Sequence, residues 1–191
     1  AHSYAAHVRW MTQWMTAQNV QGATLVVHDW GGMIALPVLA AHPERFSRLV
    51  VLNTSLPDGT DVLRPGYLEK YRAFRDLILT TPRLKPSLIV AAQTATCPSP
   101  DVLAAYDAPY PTDDLTAGPR MLTSLIPMSP QDPGAEQNRI ARERLKTWRK
   151  PVLLAFSEDS DVIHPGQRAL FQGLFAQAPV WKDTVIPASR H

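Results

Sequence analysis

Asp29 stands where an apolar, β-branched run, Leu25-Val26-Val27, gives way to His28-Asp29-Trp30-Gly31-Gly32. Such a run, broken abruptly by polar residues and a glycine pair, predicts a buried strand ending in a very tight turn. From Met33 to Ala41 the pattern becomes helical. A strand, a sharp corner and a helix expose one side chain at the strand's C-terminal end, and small residues let the chain reverse there. Here that side chain is a carboxylate. A hydroxyl nucleophile needs a base before it attacks, whereas a carboxylate is already ionised at neutral pH. Carboxylates attack amides poorly, but they displace good leaving groups from saturated carbon and leave an ester. Water must then hydrolyse that ester, which calls for a histidine base and an acid to orient it. The alternative reading makes His28-Asp29 a helix N-cap and Gly31-Gly32 a packing turn.

The elements that must position this chemistry are visible downstream. A second apolar run, Pro151 to Ser157, ends in the acids Glu158, Asp159 and Asp161, and a third strand, Val180 to Ile186, leads to Pro187-Ala188-Ser189-Arg190-His191. Catalytic groups in open α/β sheets gather at the carboxyl ends of strands, so nucleophile, acid and histidine can converge. Of the six histidines, His191 alone directly follows a core strand after the acids. His28 reads as structural, His164 as a surface residue near the acid turn, and His2, His7 and His42 fall on helix ends or faces. No pair of them has metal-ligand spacing, so no metal is expected.

Four strands are legible: Ala23 to His28, Arg48 to Asn53, Val152 to Ser157 and Val180 to Ile186. Val8, Met11 and Met15 have amphipathic helical spacing, Gly32 to His42 forms the helix behind the corner with Pro37 inside it, and Pro165 to Phe175 forms another. Between Pro57 and Pro133 lie twelve of the 18 prolines, among short helical patterns at Leu68 to Thr80 and Leu84 to Ala95. Prolines bound short helices, so this stretch reads as a helical insertion between core strands. A doubly wound sheet needs about twice as many strands, with the nucleophile strand central, so the chain is expected to be a piece of a longer protein.

Composition excludes several classes. The 191 residues are 45% hydrophobic with a net charge of +2, too small and scattered to suggest a nucleic-acid or membrane-surface partner. No stretch is long and apolar enough to span a membrane. The single Cys97 rules out an internal disulfide, which agrees with a cytoplasmic protein, any signal peptide lying outside the sequence given.

The segment Thr24 to Pro57, with Val-Val-His-Asp-Trp-Gly-Gly and Arg48-Leu49-Val50-Val51-Leu52-Asn53-Thr54, resembles the haloalkane dehalogenases. The likeness continues through Tyr106-Asp107-Ala108-Pro109-Tyr110-Pro111, Leu153-Leu154-Ala155-Phe156-Ser157 and the terminal Pro-Ala-Ser-Arg-His. It implies an α/β-hydrolase fold: a doubly wound, mostly parallel sheet with a helical cap inserted between core strands. Residues 1–57 and 139–191 would form the core and 58–138 the cap. It also implies a catalytic set of Asp29 as nucleophile, Asp161 as acid and His191 as base. Because the acid turn carries one extra acidic residue, Asp159 is the alternative to Asp161. The Trp30 backbone N–H would serve as an oxyanion donor, and its indole N–H would bond the departing halide. Phe74 falls where one subfamily has a second, halide-binding tryptophan. The implied partners are a small halogenated alkane, a halide ion and water, with no cofactor. Epoxide hydrolases and fluoroacetate dehalogenases share the corner. An epoxide hydrolase would need cap tyrosines, and Tyr67, Tyr71, Tyr106 and Tyr110 are candidates. A further alternative is an inactive hydrolase-fold module that binds small molecules.

Overall fold

Four parallel strands, β1 (Ala23–His28), β2 (Phe46–Leu52), β3 (Val152–Ser157) and β4 (Trp181–Ile186), lie side by side in chain order. The computed structural model describes residues 2–158, 166–179 and 181–191. Parallel neighbours cannot be joined by a tight turn, so each pair is bridged by helical chain. Helix α2 (Trp30–Ala41) joins β1 to β2, a long helical segment and α7 (Ala135–Leu145) join β2 to β3, and α8 (Gly166–Leu174) joins β3 to β4.

Helix α2 is apolar all round, as a helix enclosed by other elements must be. Eight of its twelve residues are buried, Pro37 among them. Leu36 and Leu39 pack with Leu49 and Val51 of β2, Leu154 of β3, and Phe171 and Phe175 at the end of the chain's last helical stretch. Helix α1 (Tyr4–Ala17) begins on Ser3, whose Oγ accepts the Ala6 N–H at 3.2 Å. It buries Tyr4, Ala6, Val8 and Met15. Met11, expected on that face, is 38% exposed instead, because the helix turns Trp10, Met11 and Trp14 outward.

Strand β2 starts at Phe46, two residues before the expected start at Arg48, since backbone pairing with β1 extends to Ala23↔Phe46. It ends at Leu52, which leaves Asn53 just past the strand rather than in it. Between β2 and α7 the chain forms α3 (Tyr67–Thr80), α4 (Pro86–Gln93), α5 (Pro100–Asp107) and α6 (Ala117–Leu122).

The stretch leaving β2 for these helices has no strand partner, and its backbone groups are met by buried side chains, as buried polar groups require. Gln167 Oε1 accepts Leu56 N–H at 3.0 Å, Arg142 Nε donates to Leu56 O at 2.7 Å, and Asn138 Nδ2 donates to Pro57 O at 2.7 Å. Arg142 also pairs with Asp58 at 3.0 Å and Asp61 at 2.8 Å. A planar guanidinium with five donors suits a site that must answer two carboxylates and a carbonyl together.

Candidate active site

Asp29 occupies the corner between β1 and α2 with φ 45° and ψ −126°. A side chain held at positive φ in such a region costs about 1–3 kcal/mol, which the surroundings must impose. Two contacts from the end of β2 impose it. Asp29 N–H donates to Asn53 O at 3.1 Å, and Thr54 Oγ1 donates to Asp29 O at 2.6 Å. Thr54 comes so close that a Cβ on Gly32 would lie 1.9 Å from its Oγ1. Gly32 is therefore a steric requirement, whereas a Cβ on Gly31 would meet nothing within 4 Å. Asp29 makes no side-chain cap bond to α2, so its carboxylate is not spent on the helix end as the N-cap reading supposed.

His191 is brought to Asp29 across the whole sheet. Its Nε2 lies 3.3 Å from Asp29 Oδ1, with the imidazole 8% exposed and the carboxylate 38% exposed. Burial alone would raise the Asp29 pKa. The hydrogen bond and charge of His191, the Trp30 backbone N–H and the charge of His28 outweigh it and hold the carboxyl below the ordinary carboxylate range. The carboxylate is thus ionised and partly open to the cavity. His191 Nδ1 is buried and has no hydrogen-bond partner among the described residues. That is the atom an orienting acid would meet; Asp159 and Asp161, the candidates for it, and His164 lie outside the described residues. Glu158 is described and serves otherwise. Its N–H donates to Ile186 O at 3.1 Å and its Oε2 accepts Ala188 N–H at 3.1 Å, bracing the turn that carries His191.

Asn53 ties these parts together, a role that reading the sequence did not assign. Its carbonyl holds Asp29, its Oδ1 accepts Ser157 N–H at 2.8 Å from the end of β3, and its Nδ2 donates to Arg190 O at 3.2 Å. One buried residue therefore links the Asp29 corner, the end of β3 and the turn that carries His191. The available signal was the residue type: asparagine tolerates the positive φ, 23°, that this position adopts.

A cavity of about 790 Å³ opens above Asp29. Asp29, Trp30, Met33 and His191 line it from the sheet side, and Tyr67, Tyr71, Phe74 and Ile78 line it from α3. These α3 positions recur at helical spacing, which puts them on one face. Phe74 adds an apolar ring and no N–H. Of the four candidate tyrosines, Tyr67 and Tyr71 reach the cavity wall and Tyr106 and Tyr110 do not. Burial, with the Asp29 charge adding to it and Arg64 opposing, raises the Tyr67 pKa, and burial pushes Tyr71 up to about 12. Tyr71 donates its hydroxyl to Thr123 O. Trp30 packs its ring 6.2 Å from that of Tyr4 and faces the cavity beside Asp29.

Among the described residues, no group of three or more His, Cys, Asp or Glu side chains could hold a metal ion, and no helix is long and apolar enough to cross a membrane.

Comparison with known proteins agrees with this geometry. A family model for the alpha/beta hydrolase fold matches residues 1–191. The haloalkane dehalogenase of Psychrobacter cryohalolentis is 34% identical over 190 residues, taking in 100% of this chain and 61% of that protein. The solved tetrameric structure of the haloalkane dehalogenase DpaA from Paraglaciecola agarilytica covers 100% of this chain and 62% of its own, with a TM-score of 0.84 and 22% identity. A shorter match, 58% identical over 41 residues, covers 20% of this chain and 13% of a cis-3-alkyl-4-alkyloxetan-2-one decarboxylase from Shewanella oneidensis. The chain spans less than two thirds of the length of each of these relatives. With a parallel sheet, a carboxylate at its left-handed corner and a matching family model along its full length, the chain belongs to the α/β-hydrolase fold family and within it is similar to the haloalkane dehalogenases.

Proposed function

We propose that the protein hydrolyses haloalkanes to an alcohol, a halide and a proton through an alkyl ester on Asp29. The observation that carries this reading is the pairing of an ionised corner carboxylate with His191 Nε2 at 3.3 Å, both on the wall of one cavity. In the first step an Asp29 oxygen attacks the halogen-bearing carbon in line, the carbon–halogen bond breaks, and the Trp30 indole N–H donates to the departing halide. In the second step His191 takes a proton from water, which adds to the ester carbonyl. The Trp30 backbone N–H, next to Asp29 in the chain, then stabilises the oxyanion. Collapse of the adduct releases the alcohol and restores the carboxylate. Asp161, or Asp159 in its place, accepts the His191 Nδ1 proton and stabilises the imidazolium. Residues 58–138 act as the cap that closes the cavity over the core formed by 1–57 and 139–191.

The short match to an oxetanone decarboxylase favours one second reading, in which Asp29 opens a strained oxetan-2-one ring. A single set of assays separates these readings. The full-length protein is given a short bromoalkane, an epoxide and an oxetan-2-one, beside an Asp29→Ala variant. Bromide released by the parent and abolished in the variant supports dehalogenation. Diol from the epoxide moves Tyr67 and Tyr71 to the centre of the chemistry, and carbon dioxide from the oxetanone supports the second reading. Silence on all three overturns the hydrolytic reading in favour of a binding module.

A further inference from the structure

His28, the residue before the nucleophile, has no part in the steps above, yet it touches the base. Its ring centroid lies 4.6 Å from that of His191, with the planes 33° apart. Strand pairing sets the His28 backbone, which ends β1 in register with Leu52 of β2, and leaves its side chain exposed beside the His191 ring. The backbone of the histidine turn is held by Asn53 at Arg190 O and by Glu158 at Ala188 N–H. Those bonds set where the His191 chain runs but not how its ring is rotated. Beside the acid proposed at Nδ1, two contacts among the described residues bear on that rotation: Nε2 on Asp29 Oδ1 and the ring face against His28.

The first of these contacts changes during turnover under the proposed function, on which this inference rests. Once Asp29 is alkylated, the ester oxygen carries no charge, and its hold on an N–H weakens. The ring must nevertheless keep Nε2 aimed at the ester while it activates water. We infer that His28 is a positioning residue for His191, an aromatic face that, with the acid at Nδ1, preserves the imidazole's aim in the half of the cycle when the carboxylate is esterified. Burial and the neighbouring His191 hold the His28 pKa below the ordinary histidine range, against a smaller opposing pull from Asp29, so at neutral pH it presents a neutral ring to its neighbour. The two rings meet tilted rather than face to face.

The role predicts an effect confined to one half-reaction. Alkylation needs Asp29 and Trp30 but no movement of a proton by His191, so it is insensitive to the ring's aim. Ester hydrolysis depends on it. Rapid-quench bromide release from 1-bromobutane, followed by intact-mass measurement, resolves the two steps in the full-length protein, with Asp29→Ala as the control for a burst arising on that residue. The expected result for His28→Ala is a first-turnover bromide burst at the parent rate, steady-state turnover lower by roughly tenfold, and accumulation of alkylated protein. His28→Phe, which keeps a ring face but no ionisable nitrogen, recovers most of the turnover. Three results overturn the proposal: unchanged steady-state turnover in His28→Ala, equal loss of burst and turnover, or a His28→Phe variant no better than alanine. Absence of any bromide from the parent instead overturns the functional reading itself, and is distinguishable because it precedes any variant.

Discussion

The two walls of the cavity are built on opposite plans. Helix α2, which carries the corner, buries eight of its twelve residues, whereas α3, which faces it, buries Ile78 alone among fourteen. The sheet-side wall is held by close packing, where a misplaced methylene is felt at once. The α3 wall hangs on a few polar clasps. Arg120 donates to Ile78 O at 2.5 Å, Thr81 O at 2.7 Å and Asp113 Oδ1 at 2.6 Å, gathering the end of α3, the turn after it and the start of α6. The difference teaches a division of labour. The corner that brings Asp29 to His191 sits on the packed wall, and the α3 side chains that line the cavity sit on the wall that can adjust.

The sharpest way to break this contrast is to open a hole in the packed wall. Leu36 is fully buried, and Leu36→Ala is expected to cost about 2–5 kcal/mol, because the lost transfer energy is joined by a cavity term. Thermal or denaturant melting reads the loss, and halide release should fall with the folded fraction. Removal of the amide that links the strand ends comes next. Asn53→Ala leaves part-buried groups at Ser157 and Arg190 unmet and should cost about 1–2 kcal/mol. Its activity loss should exceed its stability loss, since the turn that carries His191 loses its tie at Arg190 while Asp29 keeps its bond to the main-chain carbonyl of residue 53; kcat measured well below the melting range tests this.

On the other wall, Arg120→Ala should cost about 1–2 kcal/mol, since the Asp113 carboxylate it pairs with is half exposed and the Ile78 and Thr81 carbonyls it leaves are part-buried. Its signature is a raised KM across substrates with kcat nearly unchanged. A fall in kcat matching that of Asn53→Ala would erase the distinction between the walls.

The smallest effect concerns pH. The folded Asp29 pKa is depressed, so its ionised form is favoured by folding. That contribution is fully present above the ordinary carboxylate pKa and is lost as pH falls through the lower folded value. First-turnover halide release should therefore persist at pH values where an ordinary carboxylate is half protonated. A burst that titrates at the ordinary aspartate value would show that His191 and Trp30 do not hold the carboxylate as described.

The packed wall was also the part most legible in the sequence. An apolar β-branched run, a polar break and a glycine pair are local signals, and they located β1, the corner and α2 within a residue or two. β3 matched its apolar run from end to end. The convergence of Asp29 and His191 followed from strand ends alone, because a parallel sheet forces them to one edge. What lay beyond reach depended on pairing between distant segments. Asn53 looks like an ordinary strand end until β3 and the histidine turn arrive beside it. Arg142, on the polar helix α7, looks like a solvated charge until Asp58 and Asp61 fold against it. Likewise, the sequence offered four tyrosines with equal claims, and only the placement of α3 separates Tyr67 and Tyr71 from Tyr106 and Tyr110. The outward turn of Met11 has the same origin, since helical spacing states which residues share a face but not which part of that face is covered.

The central claim is that Asp29 becomes an ester which His191 then opens. It is tested most directly by intact-mass and peptide mass measurement of a His191→Gln variant of the full-length protein after exposure to 1-bromobutane. The account predicts one added butyl group per chain, located on the peptide that contains Asp29, with bromide released in equal amount and little further turnover. A variant that releases bromide repeatedly with no added mass, or that carries the alkyl group on another residue, would contradict it.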